Sequence, residues 1–203
     1  RELFTGGALS VGPYHHAPRP YEQLSAFFNL LMVSGTVPGR LFGQMLMIDR
    51  GSYDRVGGHE AVRGRTLENF HLARLLSKAG IPVHSMVRRG LLAFRMYPGG
   101  VGDLYRGWVK GFASGAAGTP PGLLLANIAW LVGMTLAAAG LPMTWLSGLA
   151  YALFAVQVAL LLRTVGSFRW YTSALYPVPL VFFYVVFTLS ALGRGRTVTW
   201  KGR

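Results

Sequence analysis

Two long uncharged stretches constrain the fold of this chain more than any other feature of its sequence. Residues 111–162 and 170–193 contain no Asp, Glu, Lys, Arg or His. A helix needs roughly 20 apolar residues to cross a hydrocarbon core of about 30 Å. Burying such stretches in a soluble core would require far more polar surface than this chain has. The sequence therefore predicts a membrane protein with spans at about 122–139, 144–162 and 171–192.

The placement of charge indicates the same class of protein. The net charge of +13 would by itself suggest nucleic-acid binding. All Asp and Glu residues lie before residue 104, however, and the later Lys and Arg residues stand in small groups between the uncharged stretches. This pattern is typical of membrane proteins, and we expect no nucleic-acid partner. The absence of Cys excludes a disulfide framework and a cysteine-rich zinc module.

Basic residues around the predicted spans indicate an orientation. They precede the first span and separate the second from the third: Arg106, Lys110, Arg163 and Arg169. The positive-inside rule places these residues in the cytoplasm, which predicts a multi-pass protein of the cell (inner) membrane. Three full crossings would leave the basic tail, 194–203, outside. Either the third segment, broken by Pro177 and Pro179, re-enters the membrane, or another membrane-dipping segment exists.

The first hundred residues differ in character, because short apolar strands alternate there with amphipathic helices. Strands are predicted at 8–14, 43–48, 81–87 and 91–96. Helices are predicted at 21–34, 50–56 and 66–79, with Thr66 as an N-cap and Gly57 or Gly58 in a positive-φ turn. The predicted domains are an α/β part over 1–100, an interfacial amphipathic helix and linker over 101–118, transmembrane helices over 119–193 and a basic tail over 194–203.

The α/β part has the pattern of an incomplete sheet. The chain begins with Arg1 rather than Met, and its strands suit the later members of a larger sheet. We therefore expect further sequence before residue 1.

Five segments, in order along the chain, resemble the C-terminal half of membrane-bound family 2 glycosyltransferases. They are 57–59 (GGH), 68–73 (ENFHLA), 95–98 (RMYP), 103–108 (DLYRGW) and 200–203 (WKGR). Within that family, 10–15 (SVGPYH) followed by 21–29 (YEQLSAFFN) is most similar to the carotenoid-acid (diaponeurosporenoate-type) enzymes. The resemblance implies an α/β fold, an incomplete nucleotide-sugar transferase domain with a GT-A-like sheet, followed by about three membrane helices.

The resemblance also implies an activity. Such an enzyme transfers a sugar, with inversion, from a nucleotide-sugar donor to a lipid-soluble acceptor such as a carotenoid carboxylate. The family uses a divalent metal, Mg²⁺ or Mn²⁺, to offset charge on the leaving diphosphate. Asp49 and Asp54 do not form the family's Asp-x-Asp pair, so we expect the metal ligands outside this chain. The alternative is a non-catalytic membrane-embedded fragment or partner subunit without a donor-binding half.

Glu68 and Asn69 are the candidate catalytic residues. The family has Glu-Asp at this position, where the Asp acts as general base. An amide cannot accept that proton, so either Glu68 serves, or the base has been lost, or the acceptor needs none. We favour the last, because a carboxylic acid is already ionised at pH 7 and Asn69 could hold its carboxylate by the NH2 group. The structural alternative is a pair of polar first-turn residues that suit the helix dipole.

The candidate substrate-binding residues rest on the same resemblance. Gly57 and Gly58 are candidate substrate-binding residues, and His59 would touch the acceptor or the diphosphate, unless it is a surface or core-edge residue. Arg95 would pair with a phosphate or carboxylate, unless it is a solvated strand-edge residue. Trp108 would be a stacking platform or a plain interfacial anchor. Tyr14 and His15 complete the set, and no metal site is expected at His15 and His16 because neighbouring strand residues point to opposite faces.

Overall fold

The computed structural model describes residues 6–37, 39–65, 67–117 and 119–192, with side chains outside 110–117. Most of these residues are helical, and the strands are short. Thr66 and the tail at 194–203, for which an N-cap and a basic segment are predicted, lie outside the described residues.

A small mixed sheet forms the centre of the α/β part. Strand β1 (Ala8–Gly12) is buried along its whole length. It pairs antiparallel with β3 (Leu46–Ile48) and parallel with β4 (Val83–Val87). A second, two-stranded parallel sheet joins β2 (Tyr14–His15) to β5 (Ala93–Phe94). The predicted strand at 8–14 is therefore wrong as a single element: it is interrupted at Pro13, which has no N–H to donate to a ladder.

Three helices accompany these strands: α1 (Ala26–Thr36), α2 (Arg50–Arg55) and α3 (Glu68–Lys78). A 3₁₀ helix, Pro20–Ser25, leads directly into α1. Helix α3 buries Leu72 and Leu76 against β1 and the segment before β4, as its spacing of apolar residues predicts. Gly57 and Gly58 follow α2 with φ of 75° and 52°, which confirms the predicted positive-φ turn.

The second half of the chain is helical. It contains α4 (Val101–Ala117), α5 (Pro121–Ala139), α6 (Trp145–Val165), α7 (Trp170–Ala174) and α8 (Pro177–Leu192). Of the described helices, α5 and α6 are long and apolar enough to cross a membrane, with mean hydropathies of 1.8 and 1.9. The segment predicted as a third span is broken before Pro177, and α8 is shorter, with 16 residues. Three spans are therefore not confirmed.

A single hydrophobic core joins α1 to the later helices. Phe27 and Phe28 of α1 are fully buried, and they share a cluster with residues of α4, α6 and α8. The members from those helices include Leu104, Trp108, Val158 and Phe183. Helix α1 thus packs the α/β part against the later helices.

A hydrogen-bond seam fixes the same junction. The buried side chain of Gln23 accepts hydrogen bonds from the N–H of Arg169 (2.9 Å) and the hydroxyl of Thr172 (2.6 Å), and its amide donates to the carbonyl of Ala17 (2.7 Å). The N–H of Ser167 donates to the carbonyl of His15 at 2.8 Å. The turn between α6 and α7 is therefore bonded to residues some 150 positions earlier in the chain.

Candidate active site

A small polar cavity lies where β2, the 3₁₀ helix, α1 and α4 meet. Its volume is about 10 Å³, room for one water-sized group. His15, Glu22, Ser25 and Asn29 form its polar side, and Leu104 of α4 contributes to its apolar side. The cavity therefore lies between the two-stranded sheet of β2 and β5 and helix α4, which precedes the long apolar helices α5 and α6.

His15 is buried in this cavity, with 3% of its surface exposed. Its ring packs edge-on against Phe94, with centroids 5.5 Å apart. Neither ring nitrogen finds a hydrogen-bond partner among the described residues. Burial lowers the pKa of His15 from 6.5 to about 4 because the charged form is poorly solvated there. His15 is therefore neutral at pH 7, with one donor and one acceptor unused.

Glu22 and Arg95 form an ion pair beside His15. The Nε of Arg95 lies 2.5 Å from Oε1 of Glu22, and the other carboxylate oxygen accepts from the N–H of Arg19 at 2.8 Å. This contact raises the pKa of Arg95. The anion that Arg95 contacts in the structure is thus Glu22, and its predicted contact with substrate stays a prediction.

Trp108 is buried rather than presented at the surface. Phe28 stacks on it at 4.7 Å, and Tyr97 meets it edge-on at 5.7 Å. Leu104 and Trp108 of α4 are buried, while Val101 and Tyr105 are exposed. Trp108 therefore packs against the ring of Tyr97, which lines the cavity.

Tyr14 lies at the edge of the same region. It is half-buried, and the guanidinium carbon of Arg89 lies 5.5 Å from its ring centroid. Tyr14 and His15 are adjacent in β2, so their side chains point to opposite faces, and only His15 lines the cavity.

The glycine turn contacts Tyr53 of α2. The N–H of His59 donates to the hydroxyl of Tyr53, and the same hydroxyl lies 2.9 Å from Nδ1 of His59. A Cβ at Gly58 would collide with the ring of Tyr53. The turn therefore holds His59 in one orientation while leaving its side chain exposed.

Glu68 and Asn69 form the first turn of α3. Glu68 is exposed and Asn69 is half-buried. The amide of Asn69 lies over Gly43, where a Cβ would overlap its nitrogen. Leu67, immediately before the helix, has φ of 60°, a left-handed conformation that costs a bulky residue about 1 kcal/mol or more. The start of α3 is therefore strained and tightly approached by the loop that contains Gly43.

The cavity and the start of α3 lie near opposite ends of α1. Asn29, in its first turns, lines the cavity, while Arg40, shortly after its end, places its guanidinium 4.9 Å from the ring centroid of Phe70 in α3. Ser34 of α1 also donates a hydrogen bond to Asn127 of α5 at 3.2 Å. The structure thus places His15 in the cavity and Arg95 on Glu22, which also lines it, whereas His59, Glu68 and Asn69 do not line the cavity.

The described residues do not fit the divalent metal that the resemblance implies. Asp49 accepts hydrogen bonds from Ser52 and Gly7, which lower its pKa. Asp54 pairs with Arg50. No group of three or more His, Asp or Glu side chains converges within the part of the chain that the structure describes. We therefore assign no step of the chemistry to a metal held by these residues.

Several residues of this region were not predicted from the sequence. They are Glu22, Gln23, Asn29, Arg40 and Leu67. A polar side chain inside an otherwise apolar helix, such as Asn29, is a sequence feature that indicates a candidate site residue. No sequence pattern indicates the left-handed conformation of Leu67, because Leu is not one of the residue types that mark turns.

Curated relatives match nearly the whole chain. The 4,4'-diaponeurosporenoate glycosyltransferases of Staphylococcus aureus strains USA300 and NCTC 8325 / PS 47 are 32% identical to it, and that of strain MRSA252 is 31% identical. Each match covers 97% of this chain and 58% of the relative, so the chain spans less than two thirds of their length. No family model and no solved structure matches. The predicted resemblance is confirmed: the chain is homologous, over nearly all of its length, to proteins named 4,4'-diaponeurosporenoate glycosyltransferase.

Proposed function

We propose that this chain is the acceptor-side and membrane part of an inverting family 2 glycosyltransferase. The protein transfers a sugar from a nucleotide-sugar donor to the carboxylate of a lipid-like acceptor, a carotenoid acid of the kind that the relatives' name contains. The observation that carries the proposal is the position of α1. Asn29 in its first turns lines the cavity, α1 shares one core with α5 and α6, and Arg40 shortly after its end contacts Phe70, the neighbour of Asn69. An acceptor in the bilayer can reach such a site with its polar end while its apolar chain remains in lipid.

The proposed chemistry requires one nucleophile and one leaving group. A carboxylate oxygen of the acceptor attacks the anomeric carbon from the side opposite the diphosphate. The bond from that carbon to the diphosphate oxygen breaks, the nucleoside diphosphate leaves, and the configuration inverts. A carboxylic acid with a pKa of about 4 to 5 is ionised at pH 7, so no general base has to remove a proton.

Asn69 and its surroundings suit this ionised nucleophile. The amide of Asn69 offers two N–H donors and no negative charge. Arg40 places a positive charge near Phe70, the next residue of α3. Glu68 lies exposed in the first turn, where the helix dipole favours a carboxylate. Asn69 and Arg40 would hold the acceptor carboxylate, and neither competes with it for a proton.

Sugar transfer itself tests the proposal. The full-length protein in liposomes should convert a nucleotide sugar and 4,4'-diaponeurosporenoate into a glycosyl ester, detected by chromatography and by its release under mild alkali. Anomeric analysis of the product should show inversion. Failure to form an ester with any common nucleotide sugar, in a preparation shown to be folded, would contradict the proposal.

Changing Asn69 to Asp is expected to slow transfer to the carboxylate acceptor by about tenfold or more. The new carboxylate would repel the acceptor carboxylate, and a lost charge-assisted hydrogen bond is worth roughly 1.5 to 3 kcal/mol. The measurement is kcat/KM with the carotenoid acid and with the corresponding alcohol. Since Asp can act as a base, turnover with the alcohol should not fall in parallel. Undiminished turnover with the carboxylate would exclude this interpretation of Asn69.

The membrane orientation completes the proposal. Arg169 donates a hydrogen bond to the carbonyl of Pro18 at 3.2 Å, so a basic end of the helical part contacts the α/β part. The positive-inside rule places that end in the cytoplasm of a cell (inner) membrane. The turn between α5 and α6 carries no charge and would lie on the opposite side.

Single cysteines can map this orientation, because the chain has no Cys. Met143, in the turn between α5 and α6, is 80% exposed, and Arg55 is exposed in α2. In intact cells a membrane-impermeant maleimide should label Met143→Cys and leave Arg55→Cys unlabelled until the cells are opened. Labelling of Arg55→Cys in intact cells would contradict a cytoplasmic α/β part.

A further inference from the structure

The cavity at His15 contains polar atoms that the fold does not use. His15 and Asn29 are 3% and 1% exposed. Both ring nitrogens of His15 and the Oδ1 atom of Asn29 lack a hydrogen-bond partner among the described residues. Leaving such groups unpaired in a protein interior is costly. Strand β2 and helix α1 therefore place unsatisfied polar groups around one small cavity.

These atoms specify the chemistry of a ligand. A neutral His15 offers one N–H donor and one lone pair, and Asn29 offers a carbonyl oxygen. The complementary group must both donate and accept a hydrogen bond. A hydroxyl group does both, and the volume of about 10 Å³ admits one group of that size.

Charged ligand groups fit less well. A carboxylate or phosphate only accepts hydrogen bonds, so it would face the unpaired oxygen of Asn29 and the carboxylate of Glu22, which Arg95 already neutralises. An ammonium group would leave the N–H of His15 unpaired and would bury a charge without a counterion. The neutral state of His15, which follows from its lowered pKa, favours an uncharged ligand as well.

The cavity is accessible from the surface. His16, which also lines it, is exposed. Met96 and Leu104 also line it. One hydroxyl group of a sugar can enter the cavity while the ring stays outside, because the volume admits a single group of that size.

We propose that the cavity between His15 and Asn29 is a subsite for one hydroxyl group of the sugar that the protein handles. This inference rests on the proposed function for the identity of the ligand as a sugar. A water molecule has the same hydrogen-bonding chemistry, so the test must separate a sugar hydroxyl from bound water.

Binding of simple glycosides to the full-length protein in lipid nanodiscs tests the proposal. The probes are methyl β-D-glucopyranoside and methyl β-D-galactopyranoside, with glycerol as a polyol control, titrated by calorimetry. One glycoside should bind more tightly than glycerol. The affinity should fall about tenfold in His15→Phe and in Asn29→Leu, since each removes polar atoms and keeps a similar volume. His84→Phe, at an exposed position of β4, is the matched control and should bind like the wild type.

A second measurement does not depend on the variants folding. Selective ¹⁵N labelling of histidine should show a ring-nitrogen shift of His15 when the glycoside, but not glycerol, is added to the wild-type protein. Failure of the wild type to bind either glycoside would overturn the proposal in favour of bound water. Unchanged affinity in both variants would overturn it too.

The outcomes also separate this subsite from the proposed function. If the wild type transfers sugar but the variants keep their glycoside affinity, the subsite is wrong and the function stands. If the wild type transfers no sugar but binds a glycoside through His15 and Asn29, the subsite stands and the function is wrong.

Discussion

Replacing Gln23 by Met is expected to lower the free energy of unfolding by about 3 kcal/mol. Met has a similar shape but makes none of the three hydrogen bonds that Gln23 forms with Ala17, Arg169 and Thr172. Each buried partner left unpaired costs roughly 1 to 3 kcal/mol. The measurement is thermal or denaturant unfolding in lipid nanodiscs, followed by near-ultraviolet circular dichroism.

Gln157→Met provides a matched control. Gln157 is exposed on α6 and accepts one hydrogen bond, from Trp130 at 2.8 Å. Its replacement should therefore change stability by less than about 1 kcal/mol. Equal effects of the two substitutions would show that the seam at Gln23 does not hold the α/β part to the turn between α6 and α7.

Lowering the pH from 6.5 to 4 is expected to remove about 3 kcal/mol of stability through His15. Its pKa is about 4 in the folded protein and 6.5 in the unfolded chain, so the unfolded chain binds the proton first and becomes favoured. The contribution is complete above pH 6.5, declines through this window and is lost below pH 4. The measurement is the free energy of unfolding across that range.

The comparison of wild type with His15→Phe isolates this effect. Other groups face His15: the Glu22–Arg95 pair, the exposed ring of His16, and Tyr97, whose pKa burial raises to about 12. Their contributions remain in both proteins, so the difference between the two curves reports His15. The wild type should lose about 3 kcal/mol of stability relative to His15→Phe as the pH falls from 6.5 to 4. Parallel curves would mean that His15 is protonated equally in both states.

The sequence predicted the apolar helices well. The ranges 122–139 and 144–162 match α5 and α6 within a few residues, because the length of an apolar stretch is a local property. The prolines at 177 and 179 predicted a break, and the structure has one immediately before Pro177. A third full span was not confirmed, because the part after the break is too short by the same length criterion.

The environments of the site residues could not be predicted in the same way. Arg95 meets Glu22, which is 73 residues away in the chain. Trp108 has a spacing that suits a helix face, yet whether Phe28 or a ligand covers its ring depends on how α1 packs against α4. Periodicity predicts which side of a helix is apolar, but not which neighbour covers it.

The contacts within the polar cavity could not be predicted from the sequence either. His15 was a candidate because of its segment's resemblance to a family, and nothing in the sequence indicated that Asn29 would lie beside it. The two residues come together because β2 bonds to β5 and to the turn after α6, while α1 packs against α4. The sequence indicated several members of the site, but not the contacts that bring them together.

The acceptor is expected to reach the site from within the bilayer. The direct measurement is the initial rate of sugar transfer in liposomes when the bulk concentration of 4,4'-diaponeurosporenoate is constant and inert phospholipid is added. The rate should fall in proportion to the mole fraction of acceptor in the membrane. A rate that follows the bulk concentration and is unaffected by added lipid would contradict the account.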